Sequence, residues 1–148
     1  EDGIRERSPS RGLGDVYKRQ AVGHTNRFSA AVAVNAVTNI ESFYALTDIP
    51  GWVRWEFGGT PLTQRRLIHE RSPVRYINKA TTPTLVVHSA EDRRVPITQG
   101  LELHAALRDS GVATSFIRYP REYHRIVEPA HRMDLVARIL NWFVTHAS

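Results

Sequence analysis

The sequence predicts an α/β fold built on a parallel sheet, and three observations carry that expectation. Short apolar runs alternate with amphipathic stretches in the order strand, helix, strand, helix, strand, helix, which requires parallel strands joined by crossovers. One run, Thr84 to Val87, is continuous rather than alternating, as a strand covered on both faces must be. Polar clusters follow the second and third strands, at the carboxyl ends where open parallel sheets gather ligands and reacting groups.

Each element has its own local reason. "SAAVAVNAV", Ser29 to Val37, is a short run containing β-branched residues and reads as a buried strand, although its alanines also permit a helix. "PLTQRRLIHERSP" places Pro61 at a helix start, with Leu62, Leu67 and Ile68 apolar, and Pro73 discourages continuation beyond Ser72. "TPTLVVHSAED" gives the second strand, bounded by Pro83 and a polar turn. From Pro96 and Ile97 a helix carries Leu101, Leu103, Ala105, Ala106 and Leu107 until Gly111 stops it. "ATSFIRYP" is the third strand, and "HRMDLVARILNWFVTHA" repeats Met133, Val136, Ile139, Leu140 and Phe143 at helical spacing. The segment "FYALTDIPGWVRWEF" reads as irregular, with Tyr44, Trp52 and Trp55 either lining a pocket or packing together.

Composition narrows the function classes. With 148 residues the chain is sized for one domain at most, and 41% hydrophobic residues with a mean hydropathy of -0.36 suit a soluble globular protein. The absence of cysteine removes disulfides, thiolate metal sites and a Cys nucleophile together. A pI near 10.1 invites a nucleic-acid reading, yet the 20 basic residues are interleaved with acids and form no stripe, so nucleic acid is not an expected partner. No run approaches the roughly 18 apolar residues of a membrane helix and no signal-peptide pattern is visible, so no membrane association is expected and the cytoplasm is the expected compartment. The seven His show no i, i+4 pairing and "HERSP" is not a zinc helix motif, so no metal is expected. His24 reads as structural or exposed and His88 as a hydrogen-bonded residue near the site.

Residues 1–20 stand apart. "SRGLGDVYKRQ", Ser10 to Gln20, back-translates without a gap into the end of a transposon-based sequencing adapter, and Glu1 to Arg5 into the flow-cell primer of the same library design. One position departs, since that primer would give Asp where Glu6 stands. The segment is therefore expected to be non-native and disordered, leaving 21–148 as the native part. As a phosphate loop it lacks the third Gly and a preceding apolar strand.

An acid after one strand and a His after the next place Asp92, in "LVVHSAEDRRVP", and His124, in "FIRYPREYHRI", at neighbouring strand ends. Asp then His is the chain order of the last two members of an α/β-hydrolase triad, although such residues also serve as turn formers, caps and surface groups.

The series "GHTNRFSAAVAVNAVTNIESFY", "WEFGG", "RSPVRYI", "TPTLVVHSAEDRRVPITQG", "YPREYHRIVEPAHR" and "ILNWF" resembles the C-terminal part of the catalytic domain of the prolyl oligopeptidase family of serine peptidases, in its acylaminoacyl-peptidase and dipeptidyl-aminopeptidase-like branch. The resemblance covers essentially all of 21–148 and implies the C-terminal half of an α/β-hydrolase fold, an incomplete parallel sheet with flanking helices. It implies Asp92 as the triad acid, His124 as the general base and Arg94 as an arginine close to substrate. It implies short peptides as substrates, hydrolysed without a cofactor, and admits a homo-oligomeric parent.

Two loop positions depart from the family pattern, Ser89 and Arg125 standing where relatives have Gly. The larger departure is upstream. The family's G-x-S-x-G-G elbow belongs roughly nine residues before Ala21, where "GLGDVYKRQ" stands, and Ser8 and Ser10 have neighbours unsuited to an elbow. The expectation is a peptidase fragment without its nucleophile, inert by itself and with Ala30 to Val34 exposed as an apolar strand edge. A carboxylesterase on the same fold is the alternative for the parent, because strand-end Asp and His do not distinguish amide from ester.

Overall fold

A computed structural model describes residues 28–146. The adapter-like segment, the position expected for the elbow and His24 lie outside the described residues. Three strands, β1 (Ala31–Val34), β2 (Thr84–Ser89) and β3 (Thr114–Tyr119), form a parallel sheet in the order β1-β2-β3. Ala31 pairs with Thr84 and Val34 with Val87, while Thr84 pairs with Thr114 and Ser89 with Tyr119. All six residues of the central strand are buried, which is why its sequence runs without a polar alternation.

The period of two decides which residues meet which helix. Ala33, Val86 and Phe116 point to one face and pack with Leu103, Ala106 and Leu107 of α4 (Thr98–Asp109). Val32, Val34, Leu85, Val87, Ile117 and Tyr119 point to the other, against Leu135, Ile139 and Trp142 of α5 (Pro129–His146). Burying a side chain such as Leu103 or Leu107 stabilises by roughly 1.5–3 kcal/mol, so the two faces together dominate the core.

The α5 reading needs one correction. Ile139 faces the sheet as expected, but Met133, Val136, Leu140 and Phe143 are exposed, and the inward positions are Leu135, Ile139 and Trp142. Three described strands present too narrow a surface to cover more than one stripe of an 18-residue helix.

A third cluster lies beyond the carboxyl end of β1. Helices α1 (Ile40–Leu46), α2 (Pro50–Phe57) and α3 (Arg65–Arg71) bury Ile40, Phe43, Val53 and Ile68 together with Val95. Asn39 caps α1 by accepting from the Glu41 and Ser42 amides. The segment expected to be irregular is thus largely helical: Pro50 opens α2, Gly58 closes it at φ 68, and Trp52 packs edge-on against Phe43 and Phe57. Helix α3 begins four residues after Pro61, because Thr60 to Gln64 close a turn on the Thr60 carbonyl and leave Leu62 in solvent. A 3-10 segment, Pro73–Lys79, then leads to β2.

Candidate active site

Asp92 arrives at its position because pairing of β2 with β3 continues past the strand ends. The Ala90 amide donates to the Tyr119 carbonyl at 2.8 Å and the Glu91 amide to the Glu122 carbonyl at 3.0 Å. The next residue therefore emerges directly beside the loop that follows β3. The Asp92 side chain is fully buried, and its Oδ1 accepts from the amides of Arg94 and Val95, both at 2.9 Å. Its Oδ2 lies 2.8 Å from His124 Nδ1. An ionised carboxylate has only acceptors, so Nδ1 carries the hydrogen and the neutral imidazole keeps its lone pair on Nε2. The His124 side chain is 47% exposed, and among the described residues no hydrogen bond engages Nε2.

The loop bearing His124 is organised around a second buried carboxylate. Glu122 accepts from the Glu128 amide and His131 Nδ1 at Oε1, and from the Val127 amide at Oε2, all at 2.9 Å. Burial pushes its carboxyl upward, but the Val127 amide, His131 and the Glu128 amide more than offset this and hold it below the usual carboxylate range. Arg121, at φ 61, pairs through two nitrogens with Glu128 at 3.0 and 2.8 Å. Potential ligand atoms of Glu122, Glu128 and His131 lie within 4.8 Å of one another. They are already engaged by amides and by Arg121, the pattern of a loop clamp rather than of an open cation site.

Two further buried side chains support the strand ends. His88 Nε2 lies 2.8 Å from the Val95 carbonyl, and since a carbonyl only accepts, Nε2 is the donor. Asn35, at the end of β1, hydrogen-bonds Ser89 and the His124 main chain. Thus Ser89 has a buried partner, whereas Arg125 is exposed.

The structure brings Asp92 and His124 into contact, while Arg94 Nε donates to Asp48 Oδ1 at 2.7 Å. Thr47 Oγ1 donates to the Arg94 carbonyl at 2.7 Å, so this loop is fastened to the α1–α2 corner. Sequence reasoning placed His88 near the site but passed over Glu122 and Asn35. The signal for Glu122 was an acidic residue two positions before His124, and for Asn35 a polar residue inside an apolar run.

Comparison with known proteins finds a family match, similar relatives and similar solved structures. The model of the prolyl oligopeptidase family matches residues 16–148, beginning inside the adapter-like segment. Mouse (Mus musculus) acylamino-acid-releasing enzyme is 36% identical over 126 residues, covering 80% of this chain and 17% of that protein. An uncharacterized peptidase of Bacillus subtilis is 33% identical over 129 residues, covering 84% of this chain and 20% of that protein. Among solved structures, uncomplexed Pyrococcus horikoshii acylaminoacyl peptidase superposes with a TM-score of 0.80 at 25% identity, over 89% of this chain and 22% of that one. A Mycobacterium tuberculosis puromycin-hydrolyzing peptidase shares the fold, with a TM-score of 0.81 at 21% identity, over 89% of this chain and 20% of that one. The chain therefore spans about a fifth of the length of these relatives.

Proposed function

We propose, from the premise that this chain belongs to the prolyl oligopeptidase family, that it supplies the acid and the base of a serine peptidase acting on short peptides. The single observation that carries this reading is the buried Asp92 carboxylate, saturated by two amides on one oxygen and 2.8 Å from His124 Nδ1 on the other. That arrangement fixes the imidazole in the tautomer whose Nε2 is basic.

In the proposed reaction a Ser hydroxyl, on a segment outside the described residues, attacks the scissile carbonyl while His124 Nε2 takes its proton. The imidazolium keeps its Nδ1 hydrogen bonded to Asp92, which stays ionised and stabilises the positive charge. Nε2 then returns the proton to the departing amine, leaving an acyl-enzyme. In the second half Nε2 takes a proton from water, the resulting hydroxide attacks the ester, and the proton goes back to the Ser oxygen. Arg94, held by Asp48, is proposed to stand beside the substrate. Peptides with an acylated or free N-terminus are the proposed substrate class, supported by relatives named acylamino-acid-releasing enzyme and acylaminoacyl peptidase.

The test uses the polypeptide that encloses this chain. Acyl-peptide anilide hydrolysis is expected to disappear in His124→Ala, and a fluorophosphonate is expected to label a Ser outside residues 28–146. Undiminished turnover by His124→Ala, or labelling within 28–146, overturns the proposal.

A further inference from the structure

We infer that Asn35 is a positioning residue, which clamps the main chain at His124 to the ends of β1 and β2 and so holds the imidazole against Asp92. Three hydrogen bonds carry this. Asn35 Oδ1 accepts from the Ser89 amide at 2.8 Å, and Nδ2 donates to Ser89 Oγ at 3.1 Å and to the His124 carbonyl at 3.0 Å. The amide orientation is dictated by its partners, because the Ser89 N–H can only donate and the His124 C=O can only accept. Three of the four hydrogen bonds open to an Asn side chain are therefore divided between the β2 terminus and the loop after β3.

The backbone gives an independent indication. Asn35 is one of only two non-Gly residues at positive φ among the described residues, at φ 44, and the other is Arg121, at φ 61, in the His124 loop. Asn tolerates this region better than most residues, yet Gly would occupy it with no Cβ penalty. Keeping a side chain there is explained by what its amide holds. The Asn35 amide also donates to the Val87 carbonyl at 3.0 Å, so the ladder between β1 and β2 runs directly into the clamp.

Ser89 extends the inference to a departure from the family pattern. Its hydroxyl is buried and accepts from Asn35, so a side chain at this position adds a contact that Gly would lack. Asp92 leaves the same strand three residues later. The clamp thus ties the His124 main chain to the end of the strand from which Asp92 emerges, while touching neither side chain.

The inference rests on the proposed role of His124, but its test needs no turnover. Imidazole N–H protons of the isotopically labelled chain are observed by NMR, with the Nδ1 proton of His131, bonded to Glu122 at 2.9 Å and outside the hydrogen bonds of the Asn35 side chain, as the internal reference. In Asn35→Gly the His124 Nδ1 proton is expected to exchange with water about tenfold faster, the fold-change matching the net worth of one buried hydrogen bond, while His131 is unchanged. Ser89→Ala is expected to give a smaller change of the same sign. A His124 proton as protected as in the unsubstituted chain, or equal acceleration at both imidazoles, overturns the inference. If Asn35→Gly fails to fold, the Ser89→Ala measurement decides by the same criterion. Loss of catalysis for an unrelated reason leaves this readout intact, so failure of the proposed function and failure of the clamp are distinguishable.

Discussion

Among the described residues two imidazoles lean on a buried carboxylate, His124 on Asp92 at 2.8 Å and His131 on Glu122 at 2.9 Å. Both carboxylates are fully buried, and both contacts use Nδ1. The surroundings separate them. Each carboxylate also accepts two loop amides, but His131 is 17% exposed and lies 5.1 Å from the Tyr119 ring. His124 is 47% exposed, with no described partner at Nε2. The difference teaches that a His–carboxylate contact has no function by itself. What matters is whether the second nitrogen is left facing outward or the ring is enclosed by structure.

The largest expected effect tests that contrast through rates. In the polypeptide enclosing this chain, Asp92→Asn is expected to lower kcat about 10⁴-fold, by permitting the wrong tautomer of His124. His131→Ala is expected to change kcat far less. Comparable losses of kcat in the two variants, at temperatures where both are folded, would break the comparison.

The next effect reverses the roles and is read in stability. Glu122→Gln replaces an acceptor-only carboxylate with an amide whose NH₂ must face N–H donors, in a fully buried position. The expected cost is about 3 kcal/mol, the lower end for disrupting a buried charged pair. Urea unfolding measures it, and Asp92→Asn is expected to lose less. The acid limb provides a sign check. Because the Glu122 carboxyl is held below its ordinary value, its contribution is present above the unfolded pKa and is lost as pH falls through the folded one. The acid-side decline of the unsubstituted chain is therefore expected to flatten in Glu122→Gln.

The fold was legible where burial is written as periodicity, and the site only where a motif names it. Strand β2 could be read because both its faces are covered, so six consecutive buried residues had to be compatible with a dry interior. The contact between Asp92 and His124 could be read because loop residues at successive strand ends converge when the strands are neighbours. Leu62 misled because a single apolar residue near a Pro looks the same whether it opens a helix or sits exposed in a turn. Helix α2 was legible in retrospect from Pro50 and Gly58, the N1 and C-terminal signals, but the segment's aromatics show no clean helical period. Glu122 and Asn35 could not be recognised from local sequence, since their roles exist only through main-chain groups brought to them by folding.

A third imidazole sharpens the comparison with a smaller effect. Gly100 lies in the first turn of α4 against His88, and a Cβ there would stand 2.5 Å from His88 Nδ1 and 3.1 Å from the Phe116 ring. Gly100→Ala is therefore expected to cost about 2 kcal/mol through overpacking. The disturbance has a direction, because His88 Nε2 holds the Val95 carbonyl while the Val95 amide holds Asp92. Amide exchange at Val95 is expected to accelerate more than exchange at Val127, which belongs to the Glu122 clamp. Equal acceleration at the two amides would mean that the clusters are not separately supported.

The smallest effect concerns Tyr119, which belongs to both regions. Its carbonyl receives the Ala90 amide at the Asp92 side, while its ring contacts His131 and its hydroxyl donates to Asp134 Oδ2 at 2.8 Å. Burial, then the bond to Asp134, push its hydroxyl from 10.0 up to about 12. The neutral form is thus favoured in the folded chain, and its stabilising contribution is complete below the unfolded pKa of 10.0 and lost as pH rises toward about 12. Across that window the unfolded chain releases a proton that the folded chain retains, so stability must fall with rising pH. Tyr119→Phe keeps the ring against His131 and removes the titrating group. The stability difference between the unsubstituted chain and Tyr119→Phe, followed by urea unfolding, is expected to be constant below pH 10.0 and to shrink above it. A difference that stays constant across the window would place the hydroxyl in solvent, and would detach the Tyr119 ring from the enclosure that sets His131 apart from His124.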